Sequence, residues 1–117
     1  MAALVAATLT GCARQGPTMA EWRPRWETLR AQVPPVTAFA SGPDAALCEQ
    51  TLVILRESRD SVLPAPDEVI DAAVTDWLAH ADTLFFECPP EEGELVGFEA
   101  AYRRLDSIAA EIESLLG

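Results

Sequence analysis

The chain has 117 residues, half of them hydrophobic and 23% charged, which bounds it to one domain with enough apolar side chains for a packed core and excludes disorder along its whole length. Its formal net charge is -11, from 19 acids against eight cations, all of them arginines. A field of that sign repels phosphate backbones, so no nucleic-acid partner is expected through a general basic surface.

Charge is uneven along the chain. Residues 1–33 hold Arg14, Arg23, Arg25 and Arg30 against Glu21 and Glu27, whereas from residue 44 onward four arginines face 17 acids. A mildly basic N-terminal end on an acidic body is the expectation. The absence of lysine and asparagine is the kind of bias that GC-rich coding produces.

The first element is the apolar run "AALVAATLT", which has the length of a signal-peptide core and is too short to cross a bilayer as a helix. It closes on Leu9-Thr10-Gly11-Cys12 and changes abruptly to the polar "ARQGPT". Here the sequence resembles bacterial lipoprotein precursors, whose lipobox is an aliphatic residue, two small residues and a cysteine. On that resemblance Leu9 is the aliphatic residue, Thr10 and Gly11 are the small ones, and Cys12 is the residue that receives lipid. The chemistry suits the role: small side chains admit an extended backbone to a membrane-embedded protease, and a thiol can take a diacylglyceryl group as a thioether. No Lys or Arg precedes the apolar run, although secretory leaders carry a positive segment there, so the leader is expected to start further upstream.

The resemblance implies residues 1–11 as a signal-peptide remnant, 12–17 as a lipid-anchored linker and 18–117 as the folded domain. It implies the extracytoplasmic face of the cell membrane, with membrane lipid as the partner through the acyl anchor and an envelope protein as a second partner. Two acyl chains hold a protein stably where one is marginal. Residues 13–17 extend at most about 20 Å, which keeps the domain near the bilayer. Its basic end is then expected to face anionic headgroups.

Beyond the linker, apolar residues recur at three- and four-residue steps, and no convincing period-two strand occurs. A first helix carries Met19, Trp22, Trp26, Leu29 and Val33, with Thr18 and Glu21 spaced as a capping box. Pro24 should kink it or delay its start, and Pro34-Pro35 end it. Val36 and Phe39, in the following loop, should fold over the core. A second helix is expected from about Pro43 to Ser61, started by Ser41 or Asp44, with Leu47, Cys48, Leu52, Leu55 and Val62 inward. After the short "LPAP" connection an antiparallel third helix begins, with Pro66 near its first turn and Asp67, Glu68 and Asp71 at its positive end. Its stripe is Ile70, Val74, Trp77, Ala81 and Leu84. "ECPPEEGE" leads to a fourth helix with Phe98, Tyr102, Leu105, Ala109, Ile112 and Leu116 in one row. The fold class read from these blocks is all-α: a small up-down helical bundle of three long helices plus an N-terminal one.

In such a bundle the start of helix two and the end of helix three share one end, which brings Cys48 and Cys88 together. An oxidising compartment, as the lipobox implies, makes them disulfide partners. The alternatives are two buried free thiols, or a zinc site with His80 that lacks the C-x-x-C spacing such sites use.

Candidate chemistry is sparse. Trp22 and Trp26 are candidate ligand-binding residues if they form an exposed platform, or line a groove opened by detachment of the first helix; packing against the bundle is the plainer expectation. His80 lies four residues after Asp76 and two before Asp82, so an acid–base dyad can be drawn, but no nucleophile has a recognisable setting. Glu87, Glu91, Glu92 and Glu94 crowd one loop without the spaced oxygens of an EF-hand. No phosphate loop, G-x-S-x-G or H-E-x-x-H is present, so neither a catalytic set, a metal nor a cofactor is expected. The functional expectation is a lipid-anchored envelope protein acting as a binding or structural module. The alternative is a secreted ligand- or metal-binding carrier that uses the acidic loop or a Trp-lined groove.

Overall fold

A computed structural model describes residues 16–39, 44–88 and 95–117, apart from the side chains of residues 95 and 96. These form α1 (Met19–Gln32), a single 3-10 turn (Val36–Phe39), α2 (Ala45–Val62), α3 (Glu68–Phe86) and α4 (Leu95–Leu116), with no strand among the described residues. The all-α bundle expected from the periodicity is the observed fold.

Each helix start has a local cause. Thr18 caps α1: its Oγ1 accepts the Glu21 N–H at 3.2 Å, and Glu21 Oε1 accepts the Thr18 N–H at 2.9 Å. These bonds, backbone first, hold the Glu21 carboxyl below its ordinary value. Pro24 does not delay the helix, which begins at Met19. Proline cannot donate to the carbonyl four residues back, but both Pro24 and Ala20 are exposed, so solvent can serve the freed acceptor. Asp44 caps α2 by accepting the Leu47 N–H at 2.9 Å, while Ser41 and Pro43, also expected at this start, lie outside the described residues. Asp67 caps α3 with bonds from Val69 and Ile70, which moves Pro66 just outside the helix rather than into its first turn. Asp71 accepts the Ala65 N–H at 2.8 Å and ties down the connection before it.

Long-range bonds define the topology. Trp22 Nε1 donates to the Val62 carbonyl at 2.8 Å, joining the start of α1 to the end of α2. Arg23 Nη2 donates to the Leu116 carbonyl at 2.6 Å, which brings the end of α4 to the same place. At the opposite end the Tyr102 hydroxyl donates to the Pro34 carbonyl, and Cys48 is bridged to Cys88. The helices therefore run up, down, up, down, and α1 touches both α2 and α4. We call the end holding Thr18, Val62 and Leu116 the lower end and that holding Pro34, Cys48 and Cys88 the upper end.

Aromatic side chains fill the core in two groups. Trp22 and Trp26 stack at 6.1 Å, and Trp77 meets Trp26 edge-on at 5.0 Å. Nearer the upper end the 3-10 turn drops Phe39 among Phe85, Phe98 and Tyr102, with ring centroids 5.0 to 6.4 Å apart. Phe39 thus covers the core as expected, while Val36 is only half-buried. Burial raises the Tyr102 phenol well above its ordinary value, with Asp106 reinforcing the effect, so the hydroxyl remains a neutral donor. The buried arcs are wider than the expected stripes. Leu78 and Phe85 on α3, Ile108 on α4 and Thr51 on α2 are buried too. The helix α3 lies between α2 and α4, so it presents two inward faces rather than one seam.

Charge in space differs from charge along the chain. Beside Arg23 and Arg25, the lower end gathers Glu21, Asp67, Glu68 and Asp71, with Glu113 close by. Antiparallel folding returns acidic segments to the start of α1, so among the described residues the lower end mixes both charges; Arg14, also counted in the expected basic end, lies outside them.

Candidate functional site

The structure joins Cys48 and Cys88 as a disulfide with Cα atoms 6.2 Å apart, resolving the free-thiol and zinc alternatives in favour of the bridge. It fastens the start of α2 to the residue just beyond α3. Cys12 lies outside the described residues, as do Glu91, Glu92 and Glu94; Glu87 is exposed. Among the described residues no group of three or more His, Cys, Asp or Glu side chains is placed to hold a metal ion.

Trp22 and Trp26, the candidate ligand-binding residues, are 0% exposed. Their indole N–H groups are spent inside the bundle, on Val62 and, for Trp26, on Glu113 Oε2 at 2.9 Å. The exposed-platform reading is corrected: a ligand could reach these rings only if α1 left the bundle. The physical reason is the large apolar area of the two indoles, which leaves water when they stack on each other and Trp77 closes edge-on against Trp26.

His80 and its acids part company. His80 Nδ1 lies 2.9 Å from the Asp76 carbonyl and 3.3 Å from its Oδ1, and Nε2 faces Arg104 Nε at 3.4 Å. With Arg104 donating, Nε2 is the acceptor and the proton sits on Nδ1. Both ring nitrogens are occupied, and no hydroxyl or thiol among the described residues bonds to them. Asp82 belongs to another face. Arg56 grips it with Nε at 2.8 Å and Nη2 at 3.1 Å, while the Arg56 guanidinium lies 6.0 Å from the ring centroid of exposed Phe86.

That ion pair holds the Asp82 carboxyl below its ordinary value, chiefly through the Arg56 hydrogen bond. A depressed carboxyl stabilises the fold above its unfolded pKa and loses that contribution as pH falls through its folded value. Asp82→Asn should therefore weaken the protein slightly and evenly at neutral pH, since both partners are well exposed. In urea titrations the gap to the native chain should narrow below about pH 4; a gap that widens on acidification would contradict the assignment.

A groove of about 470 Å³ lies between the upper halves of α3 and α4. Leu84 and Phe98 give it an apolar floor, and Ala79, Ala101 and Gly97 keep it open. A Cβ added at Gly97 would meet nothing within 4 Å among the described residues. Thr83 supplies a hydroxyl. Glu87 lines one end of the groove, and His80 with Arg104 lines the other. In the sequence Leu84 and Phe98 read as core positions and His80 and Glu87 as candidate chemistry, whereas Ala79, Thr83, Gly97, Ala101 and Arg104 carried no expectation. A usable signal existed: Gly97, Ala101 and Arg104 recur at four and three residues, as do Ala79, Thr83 and Glu87 at four, each set marking one helix face.

This arrangement can hold a small molecule against an apolar floor with opposite charges at its two ends. Comparison of the chain with protein-family models, with curated proteins and with solved structures finds no match to any of them.

Proposed function

We propose that the chain is an exported, lipid-anchored helical module of the bacterial cell envelope, acting by binding or by supporting an assembly rather than by catalysis. The observation that carries this reading is the Cys48–Cys88 bridge in a chain whose start resembles a lipobox-ended leader. Disulfides persist in oxidising compartments and are rare in the cytosol. No described helix is long and apolar enough to cross a membrane; on this reading the acyl group on Cys12 is the attachment.

The linker would enter the domain at the lower end, where Gly16 lies beside Pro64. The upper end, with the bridge and the groove, then points away from the bilayer by about the length of α2, roughly 27 Å. Acids among the lower-end arginines weaken any electrostatic pull toward anionic headgroups, so the acyl chains carry the attachment.

Two outcomes are expected. Mass spectrometry of membrane-extracted protein gives an N-terminal, diacylglyceryl-modified Cys12, and Cys12→Ser moves the protein to the soluble fraction of the cell. A mature product that retains residues 2–11, or a Cys12→Ser protein still on the membrane, would overturn the proposal.

A further inference from the structure

We infer that the α3–α4 groove is a binding site for a short peptide with free termini, about three residues long. His80 on α3 and Glu87 at its C-cap are seven residues apart, and on α4 so are Gly97 and Arg104. Seven residues are two helical turns, so the groove spans about 10 Å between its charged ends. Because the helices are antiparallel, Arg104 falls level with His80, and Gly97 with Glu87. A tripeptide in extended form covers about 10 Å from ammonium to carboxylate, at roughly 3.3 Å per residue.

Electrostatics sets the direction. Among the described residues Arg104 has no carboxylate within 4.0 Å, although the chain is strongly acidic. His80 Nε2 orients its guanidinium by accepting the Nε–H, which leaves the terminal nitrogens for a carboxylate. Glu87 is likewise outside any ion pair among the described residues, and it can receive an ammonium. Between them Leu84, Phe98 and Ala101 offer an apolar bed for a central aliphatic side chain, and the Thr83 hydroxyl is placed to meet a peptide group. A simple carboxylate would leave Glu87 unused, and a simple amine would leave Arg104 unused. The zwitterion uses both. This site is independent of the anchor: failure at Cys12 leaves it standing, and its own failure leaves the anchor standing.

Calorimetric titration of the full chain with Ala-Leu-Ala, N-acetyl-Ala-Leu-Ala, Ala-Leu-Ala-amide and free leucine tests the inference. The unmodified tripeptide should bind saturably at one site, and each blocked form should bind about fivefold more weakly, the scale of one exposed ion pair. Glu87→Gln should abolish the distinction between free and acetylated peptide, and Arg104→Gln that between carboxylate and amide. Gly97→Leu should fill the groove and remove binding while the circular dichroism melt stays within a few degrees. Absence of saturable heat, indifference to both blocking groups, or unchanged selectivity in the Glu87 and Arg104 variants would each overturn it. So would concentration-dependent dimerisation that Gly97→Leu abolishes, since the occupant would then be a second copy of the chain.

Discussion

Replacing Cys48 or Cys88 by alanine, or reducing the bridge, is expected to lower stability by about 4 kcal/mol, from the loop-closure entropy restored to the unfolded chain. The two cysteines are 40 residues apart in sequence, and that separation sets the size of the effect. For a domain of this size the melting temperature should fall by at least ~15 °C. The loss is not uniform in its local consequences. Amide exchange should accelerate most at Asp44–Cys48 and Leu84–Cys88, because the bridge is what fastens α2 to the end of α3 there. The lower end, held by Trp22 to Val62 and Arg23 to Leu116, should change less. An unchanged denaturation midpoint in reductant, with both thiols shown free by labelling, would refute the structural role of the bridge.

Trp26→Ala is expected to cost about 3–5 kcal/mol, the range for truncating a buried aromatic side chain. Trp26 is the ring on which the lower core is assembled: it stacks on Trp22, receives Trp77 edge-on and donates to Glu113. The loss should free α1 first, which exchange at Met19–Gln32 would report. Trp77→Phe provides the contrast. Trp77 is equally buried, but its Nε1 has no hydrogen-bond partner among the described residues. That substitution removes no bond and relieves an unsatisfied donor, which offsets part of the packing loss, so its cost should stay near 1 kcal/mol. If Trp77→Phe proved as damaging as Trp26→Ala, the hydrogen-bond ledger of this core would be wrong.

Much of the fold was legible from local pattern. The capping box at Thr18 and Glu21 is a three-residue relation, and it formed as spaced. The rows Ile70–Val74–Trp77–Ala81–Leu84 and Phe98–Tyr102–Leu105–Ala109–Ile112 are buried as their period requires. The meeting of the two cysteines followed from order, since consecutive antiparallel helices return Cys88 to the level of Cys48, while their bonding was expected from the oxidising compartment that the lipobox implies.

The rest depended on register between helices. Asp82 was drawn beside His80 because they are two residues apart, yet neighbours at that spacing face different ways on a helix, and Asp82 met Arg56 on α2 instead. The acceptors for Trp22 and Trp26 lie 40 and 87 residues away. Among the described residues, Arg23 and Arg25 gained acidic neighbours only because α3 and α4 return to the start of α1. The groove itself exists only because Ala79 and Thr83 face Gly97 and Ala101 across a helix pair.

By itself, then, the sequence determined the helices and their order, the caps at Thr18, Asp44 and Asp67, the central buried row of each long helix and the cysteines that meet. Tertiary structure alone decided which polar side chains find each other, where charge collects and where a concavity remains. Helical periodicity is a property of a few neighbouring residues, whereas the sliding and rotation of one helix on another are settled by all the buried side chains packing at once.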